Sequence, residues 1–192
     1  TLLKDNGCEN IIVLPLYPQY AAATTATVCD EVYRNLMKMR WQPSLQIIPH
    51  YESEPLYIDA LIKSIRKKIL EIKWKPDLII ASYHGIPKEY FDKGDPYQCY
   101  CQKTTRLMRE KFKDVLIETT FQSRFGPREW LKPYTDKTLE ALPGKGKKNI
   151  LMISPGFSSD CVETLEELNI QGRESFKKNG GINFDYIPCL ND

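Results

Sequence analysis

The sequence predicts a doubly wound α/β fold, and three observations carry that prediction. Apolar, strand-like runs alternate with segments of helical periodicity along the chain. Two runs, Leu78–Ala81 and Ile150–Ile153, are continuously apolar rather than alternating, the pattern of parallel strands covered on both faces. Neither a short-period repeat nor a low-complexity segment interrupts the order.

Strands are predicted over Asn10–Leu16, Leu45–Pro49, Asp77–Ser82, Val115–Phe121, Asn149–Ser154 and Ile182–Pro188. Helices are predicted over Thr24–Met39, Leu56–Lys73, Gln102–Phe112, Thr135–Leu142 and Val162–Lys177. Thr1–Gly7 reads as the last turn of a helix closed by a glycine cap. Ile187–Asp192 finishes a strand and reaches residue types that start helices. Both ends therefore read as cut, and the chain is expected to be the middle and C-terminal portion of a longer enzyme. A boundary near Tyr51–Pro55 would separate residues 1–54, part of a first α/β domain, from residues 55–192, a second.

A chain of 192 residues can hold one substantial core, or one domain and part of another. With 42% apolar and 27% charged residues it falls among ordinary globular proteins. A net charge of +2 implies no strong field for nucleic acid. No apolar run approaches the roughly 20 residues of a membrane span, and no signal peptide opens the chain. The six cysteines, Cys8, Cys29, Cys99, Cys101, Cys161 and Cys189, mostly sit in apolar or helical stretches. They are expected to be reduced thiols in a cytosolic compartment.

Ligands of doubly wound sheets bind beyond the carboxyl ends of the strands, and chemistry collects at three predicted strand ends. Tyr83-His84-Gly85-Ile86-Pro87 follows one strand, Gln122-Ser123-Arg124-Phe125-Gly126-Pro127 with Trp130 a second, and Pro155-Gly156-Phe157-Ser158-Ser159-Asp160 a third. His84 is one of two histidines, a residue type suited to a base near neutral pH or a metal ligand. A strand-end histidine also suits a plain bond to a nearby carbonyl. The acidic helix start holds Asp160, Glu163, Glu166 and Glu167. Glu163 and Glu167, four apart on one face, repel by about 0.2–0.5 kcal/mol, which a bound cation would reverse. Asp160 as N-cap with Glu163 closing a capping box would explain the same residues without a ligand. Tyr17, Tyr83, Phe121, Phe125, Trp130 and Phe157 are candidate walls for a flat apolar ligand, or core residues. Cys99 and Cys101 provide two thiols, short of a four-ligand zinc or iron–sulfur site.

These segments resemble the ferrochelatase family. Ser82–Pro87 looks like its histidine loop. Phe121–Pro127 followed by Trp130, Leu131 and Pro133 looks like its second signature. Pro155–Asp160 with Glu163–Glu167 looks like its third, and Leu14–Tyr20 matches a motif of the first domain. The resemblance covers essentially the whole chain in the family's order. It implies two similar chelatase-like domains, the first incomplete here, with a porphyrin cleft between them. It also implies insertion of ferrous iron into protoporphyrin IX to make heme, a lyase reaction. His84 and Glu163 fall on the catalytic positions, and His84, Glu163 and Glu167 on the metal path. Tyr17, Tyr83, Gln122, Ser123, Trp130 and Phe157 become porphyrin contacts. The next polar position of the acidic helix is Gln171, which is uncharged. No cofactor is implied beyond the substrate iron. Some bacterial members carry a 2Fe–2S cluster, for which Cys99 and Cys101 would provide half the ligands. Porphyrin and iron are the expected partners, in the cytoplasm with room for peripheral contact with the inner membrane. A coproporphyrin or cobalt chelatase, or a non-catalytic tetrapyrrole-binding module, are the alternatives.

Overall fold

The computed structural model describes residues 2–191. Thr1 and Asp192, to which the predicted terminal segments extend, lie outside the described residues. Strands β3 (Leu78–His84), β4 (Ile117–Gln122), β5 (Asn149–Ile153) and β6 (Asn183–Tyr186) form one sheet in the order β4-β3-β5-β6, every pairing parallel. Before them, β1 (Asn10–Val13) and β2 (Ser44–Ile47) form a two-stranded parallel sheet.

The continuous apolar runs become intelligible in this sheet, because side chains alternate between its faces. Ile79, Ala81 and Tyr83 of β3 join Phe121, Leu151 and Ile153 beneath α3 (Pro55–Glu71) and α5 (Tyr97–Lys111), whose Ile58, Leu61, Ile65 and Met108 are buried there. Leu78 and Ile80 join Ile150, Met152 and Phe184 on the other face. That face is covered by Leu139 of α6 (Thr135–Ala141), Leu168, and Phe176 of α7 (Arg173–Lys178). Burying one such Leu, Ile or Phe contributes about 1.5–3 kcal/mol, so covering both faces is what makes the sheet stable.

Several elements differ from the sequence reading in boundary or type. Strand β3 runs on through His84 and β4 through Gln122, so both residues end strands rather than open loops. Helix α5 begins at Tyr97, five residues early, because the Asp95 carboxylate accepts the Tyr97 N–H at 3.0 Å. A short helix, α4 (Lys88–Asp92), precedes it. The acidic segment is a π-type helix over Glu163–Gly172 that runs into α7, and α2 (Thr27–Leu36) is entered through a π-type turn over Ala22–Ala26. π-type turns are rare and frequently occur at functional sites.

The first part of the chain is tied to the second by polar contacts. The Glu52 side chain, fully buried, takes the Lys103 ammonium at 2.8 Å and His50 Nδ1 at 2.6 Å, and His50 stacks on Tyr100. Burial alone would raise the Glu52 pKa, but the hydrogen bonds from Lys103 and His50 outweigh it and hold the carboxyl below its ordinary value. Thr104 Oγ1 donates to the Glu52 carbonyl and accepts from Gln19 Nε2. Among the described residues no helix is long and apolar enough to cross a membrane.

Candidate active site at the switch point of the sheet

Chain order reverses between β3 and β5, since β4 lies on one side of β3 and β5 and β6 on the other. That crevice is where doubly wound sheets bind ligands. The carboxyl end of β3 delivers His84 to it, and the loop after β5 leads to Glu163. Ser82 and His84 share alternation with Leu78 and Ile80, whose face carries the Glu163–Gly172 helix. The two predicted catalytic residues are therefore on the same side of the sheet, and the His84 imidazole lies within electrostatic reach of the Glu163 carboxylate.

His84 Nδ1 lies 2.7 Å from the Gly85 carbonyl oxygen. A carbonyl only accepts, so Nδ1 carries the hydrogen and Nε2 of the neutral ring keeps its lone pair. The plain carbonyl bond considered from sequence is present, and it leaves Nε2 as the acceptor nitrogen of the neutral ring. Gly85 is required at this point. A Cβ there would sit 2.8 Å from the Gln122 carbonyl and 3.1 Å from the Trp130 ring.

The capping-box alternative is overturned for Glu163. The Asp160 N–H donates to Asn191 Oδ1, not to Glu163. Its carboxylate lies ahead of the helix and accepts from Tyr186 Oη, Cys189 N, Asn191 Nδ2 and Thr164 Oγ1. Thr164 makes the local bond instead, accepting the Cys161 N–H at 2.9 Å. The Glu163 pKa is lowered by the Cys161 thiol first, then by its own backbone N–H, with a further contribution from the charge of His84 when that ring is protonated.

Glu167 is placed differently. Both its oxygens are taken by Ser123, one by the backbone N–H at 2.7 Å and one by the hydroxyl. Ser123 holds a left-handed φ of 62° to do so. Gln122 donates to the Glu163 carbonyl at 2.9 Å and accepts from Ser82. No cluster of three or more His, Cys, Asp or Glu side chains disposed to hold a metal occurs among the described residues. His84, Glu163 and Glu167 are thus not a ready three-ligand set, because Ser123 already holds Glu167.

A cleft of about 650 Å3 opens beside His84, a normal size for a small-molecule site. Tyr17, Trp130 and Phe157 line it, as predicted wall residues would. Tyr83 does not: alternation turns it into the core, fully buried, with its hydroxyl on Thr105. Gln122 and Ser123 line a neighbouring pocket of about 440 Å3 with Glu167 and Gln171, and Phe121 is core. The loop around Phe125–Trp130 walls both spaces. Sequence reasoning missed Gln19, Tyr90, Tyr97 and Arg128 in the larger cleft. Gln19 was inside the Leu14–Tyr20 motif and could have been read from it. Cys99 is exposed and Cys101 buried on α5, and helix positions two apart do not face each other.

The ferrochelatase family model matches residues 1–192. The chain belongs to the ferrochelatase family. It is 59% identical to the ferrochelatase of Rhizobium meliloti (strain 1021) over 192 residues, covering 99% of this chain and 57% of that protein. It is 57% identical to the ferrochelatase of Rhizobium etli (strain CIAT 652), covering 99% and 56%, and 52% identical to that of Brucella ovis, covering 99% and 54%. The chain spans little more than half the length of the curated relatives it matches. In ferrochelatase terms, the histidine-loop, second and third signatures named from sequence lie at the carboxyl ends of β3, β4 and β5 of one sheet.

Proposed function

We propose that the protein containing this chain inserts ferrous iron into a porphyrin, protoporphyrin IX, to make heme. The observation that carries this reading is the free Nε2 of His84 within electrostatic reach of an uncapped Glu163, beside an aromatic cleft. Insertion requires two pyrrole N–H protons to leave, the macrocycle to bend and the hydrated cation to lose water. His84 Nε2, its lone pair preserved by the Nδ1–H bond to Gly85, takes a pyrrole proton. Glu163, ionised by its local donors, attracts the cation as water leaves, or relays the released protons outward. Tyr17, Trp130 and Phe157 hold the flat ring, and the buried Trp130, fixed by Nε1 donating to the Phe125 carbonyl at 3.0 Å, is the rigid member. Glu167 supports this edge through Ser123 and contributes charge to the metal path.

The wider architecture belongs to the same reading: two α/β domains meeting near Tyr51–Pro55, the first one completed in the longer protein. Cobalt-inserting relatives usually offer a histidine pair, and the other histidine here, His50, is engaged by Glu52 and Tyr100. The test is an absorbance assay of the full-length enzyme with ferrous iron, comparing protoporphyrin and coproporphyrin. Conversion of protoporphyrin, abolished by His84→Ala in a folded protein, is expected. A folded His84→Ala enzyme with undiminished insertion would remove His84 from the chemistry, and a folded wild-type protein that binds porphyrin without converting it would leave a binding module as the better reading.

A further inference from the structure

The sequence motifs account for His84 but not for what aims it. The peptide between His84 and Gly85 is held from both sides. Its N–H, that of Gly85, donates to the Gln122 carbonyl at 2.8 Å. Its carbonyl, that of His84, accepts the Tyr97 hydroxyl at 2.9 Å. The next carbonyl along, that of Gly85, takes the imidazole Nδ1–H. The imidazole therefore bonds the carbonyl of the peptide next to one anchored at its N–H by Gln122 and at its carbonyl by the Tyr97 phenol.

Tyr97 is itself fixed. It is 7% exposed, and burial holds its phenol well above the ordinary tyrosine pKa, so it remains a donor. Its N–H is taken by Asp95 Oδ1, while Asp95 Oδ2 takes the Ala22 N–H at 2.8 Å, at the turn that contributes Ala23 and Thr24 to the lining of the cleft. One short turn, Asp95-Pro96-Tyr97, thus links His84 to the turn at Ala22 that also lines the cleft.

We propose that Tyr97 is a positioning residue for His84, fixing through its hydroxyl the 84–85 peptide and with it the tautomer and direction of the imidazole. The inference rests on the reading of His84 as the base. A merely structural phenol would satisfy a buried carbonyl and leave the imidazole unchanged when removed.

The test uses Tyr97→Phe in the full-length protein, which keeps the ring and its packing. Two readouts are taken. The first is the 15N spectrum of the His84 imidazole, assigned by its loss in His84→Gln. Wild type should show the Nδ1–H form alone, and Tyr97→Phe a mixture with the Nε2–H form. The second is insertion kinetics, where kcat should fall on the order of tenfold with KM changed less than about twofold. An unchanged 15N signature in folded Tyr97→Phe overturns the proposal whatever the activity. A mixed signature with no iron insertion in wild type supports the positioning of His84 while removing the proposed reaction. Should Tyr97→Phe fail to fold, Asp95→Asn disturbs the same turn without touching the ring. It should produce the mixed tautomer in smaller proportion, and an unmixed signature there overturns the proposal.

Discussion

The first and second turns of the helix after β5 each present a glutamate, and the fold treats the two in opposite ways. In the second turn, Glu167 is gripped by the N–H and hydroxyl of Ser123 and pins the end of β4. In the first turn, among the described residues, Glu163 has the Cys161 thiol and its own backbone N–H as local donors, with His84 nearby. Asp160, just ahead, carries the local architecture that the sequence assigned jointly to Asp160 and Glu163. A carboxylate whose lone pairs are filled by protein donors holds structure together. One left with weak local donors is available to a cation or a proton.

Stability measurements sharpen that contrast. Asp160→Ala should cost most, about 3 kcal/mol, since four donors lose a charged acceptor. Denaturant unfolding of the full-length protein measures it, and a loss below 1 kcal/mol would break the comparison. Glu167→Gln should cost about 1.5–2 kcal/mol through its charge-assisted bonds to Ser123. Ser123→Ala, which keeps the backbone bond, should cost about 1 kcal/mol. Glu163→Gln should lie within about 0.5 kcal/mol of wild type. A larger loss there would mean that Glu163 is a cap after all.

Acid titration gives a related check. The carboxyls of Asp160, Glu163 and Glu52 are all held below their ordinary values. Burial opposes this at Asp160 and Glu52, and their hydrogen-bond donors outweigh it. The stability such groups contribute is complete above the unfolded carboxylate value, about 4, and is lost as pH falls through the lowered folded values. Unfolding free energy should be level from about pH 7 to 5 and fall below about pH 4. Asp160→Ala should fall less steeply over that acid range, and an identical slope would remove Asp160 from the account.

Much of the fold was legible because strand spacing and continuous apolar runs are properties of local sequence. The carboxyl-edge loops followed from the same signal, and with them His84 and the acidic helix. Tyr83 was misassigned to the cleft although alternation already paired it with Ile79 and Ala81. Gln122 and Ser123 are bound to the acidic helix, a fact set by the register between β3 and β4 that no local pattern records. The π-type winding of Glu163–Gly172 has no clear mark in a segment whose periodicity already read as helix. Tyr97 and the buried Glu52 act through partners far along the chain, so their roles appeared only when the elements were packed.

The central proposal is that Glu163 works directly with His84 on the metal and protons, while Glu167, held by Ser123, contributes charge from the second turn. The most direct measurement is the initial rate of ferrous insertion by full-length Glu163→Gln and Glu167→Gln enzymes, each shown to be folded. The account predicts a loss of about 10²-fold or more for Glu163→Gln and a smaller loss for the less stable Glu167→Gln. A near-normal rate in folded Glu163→Gln would contradict it.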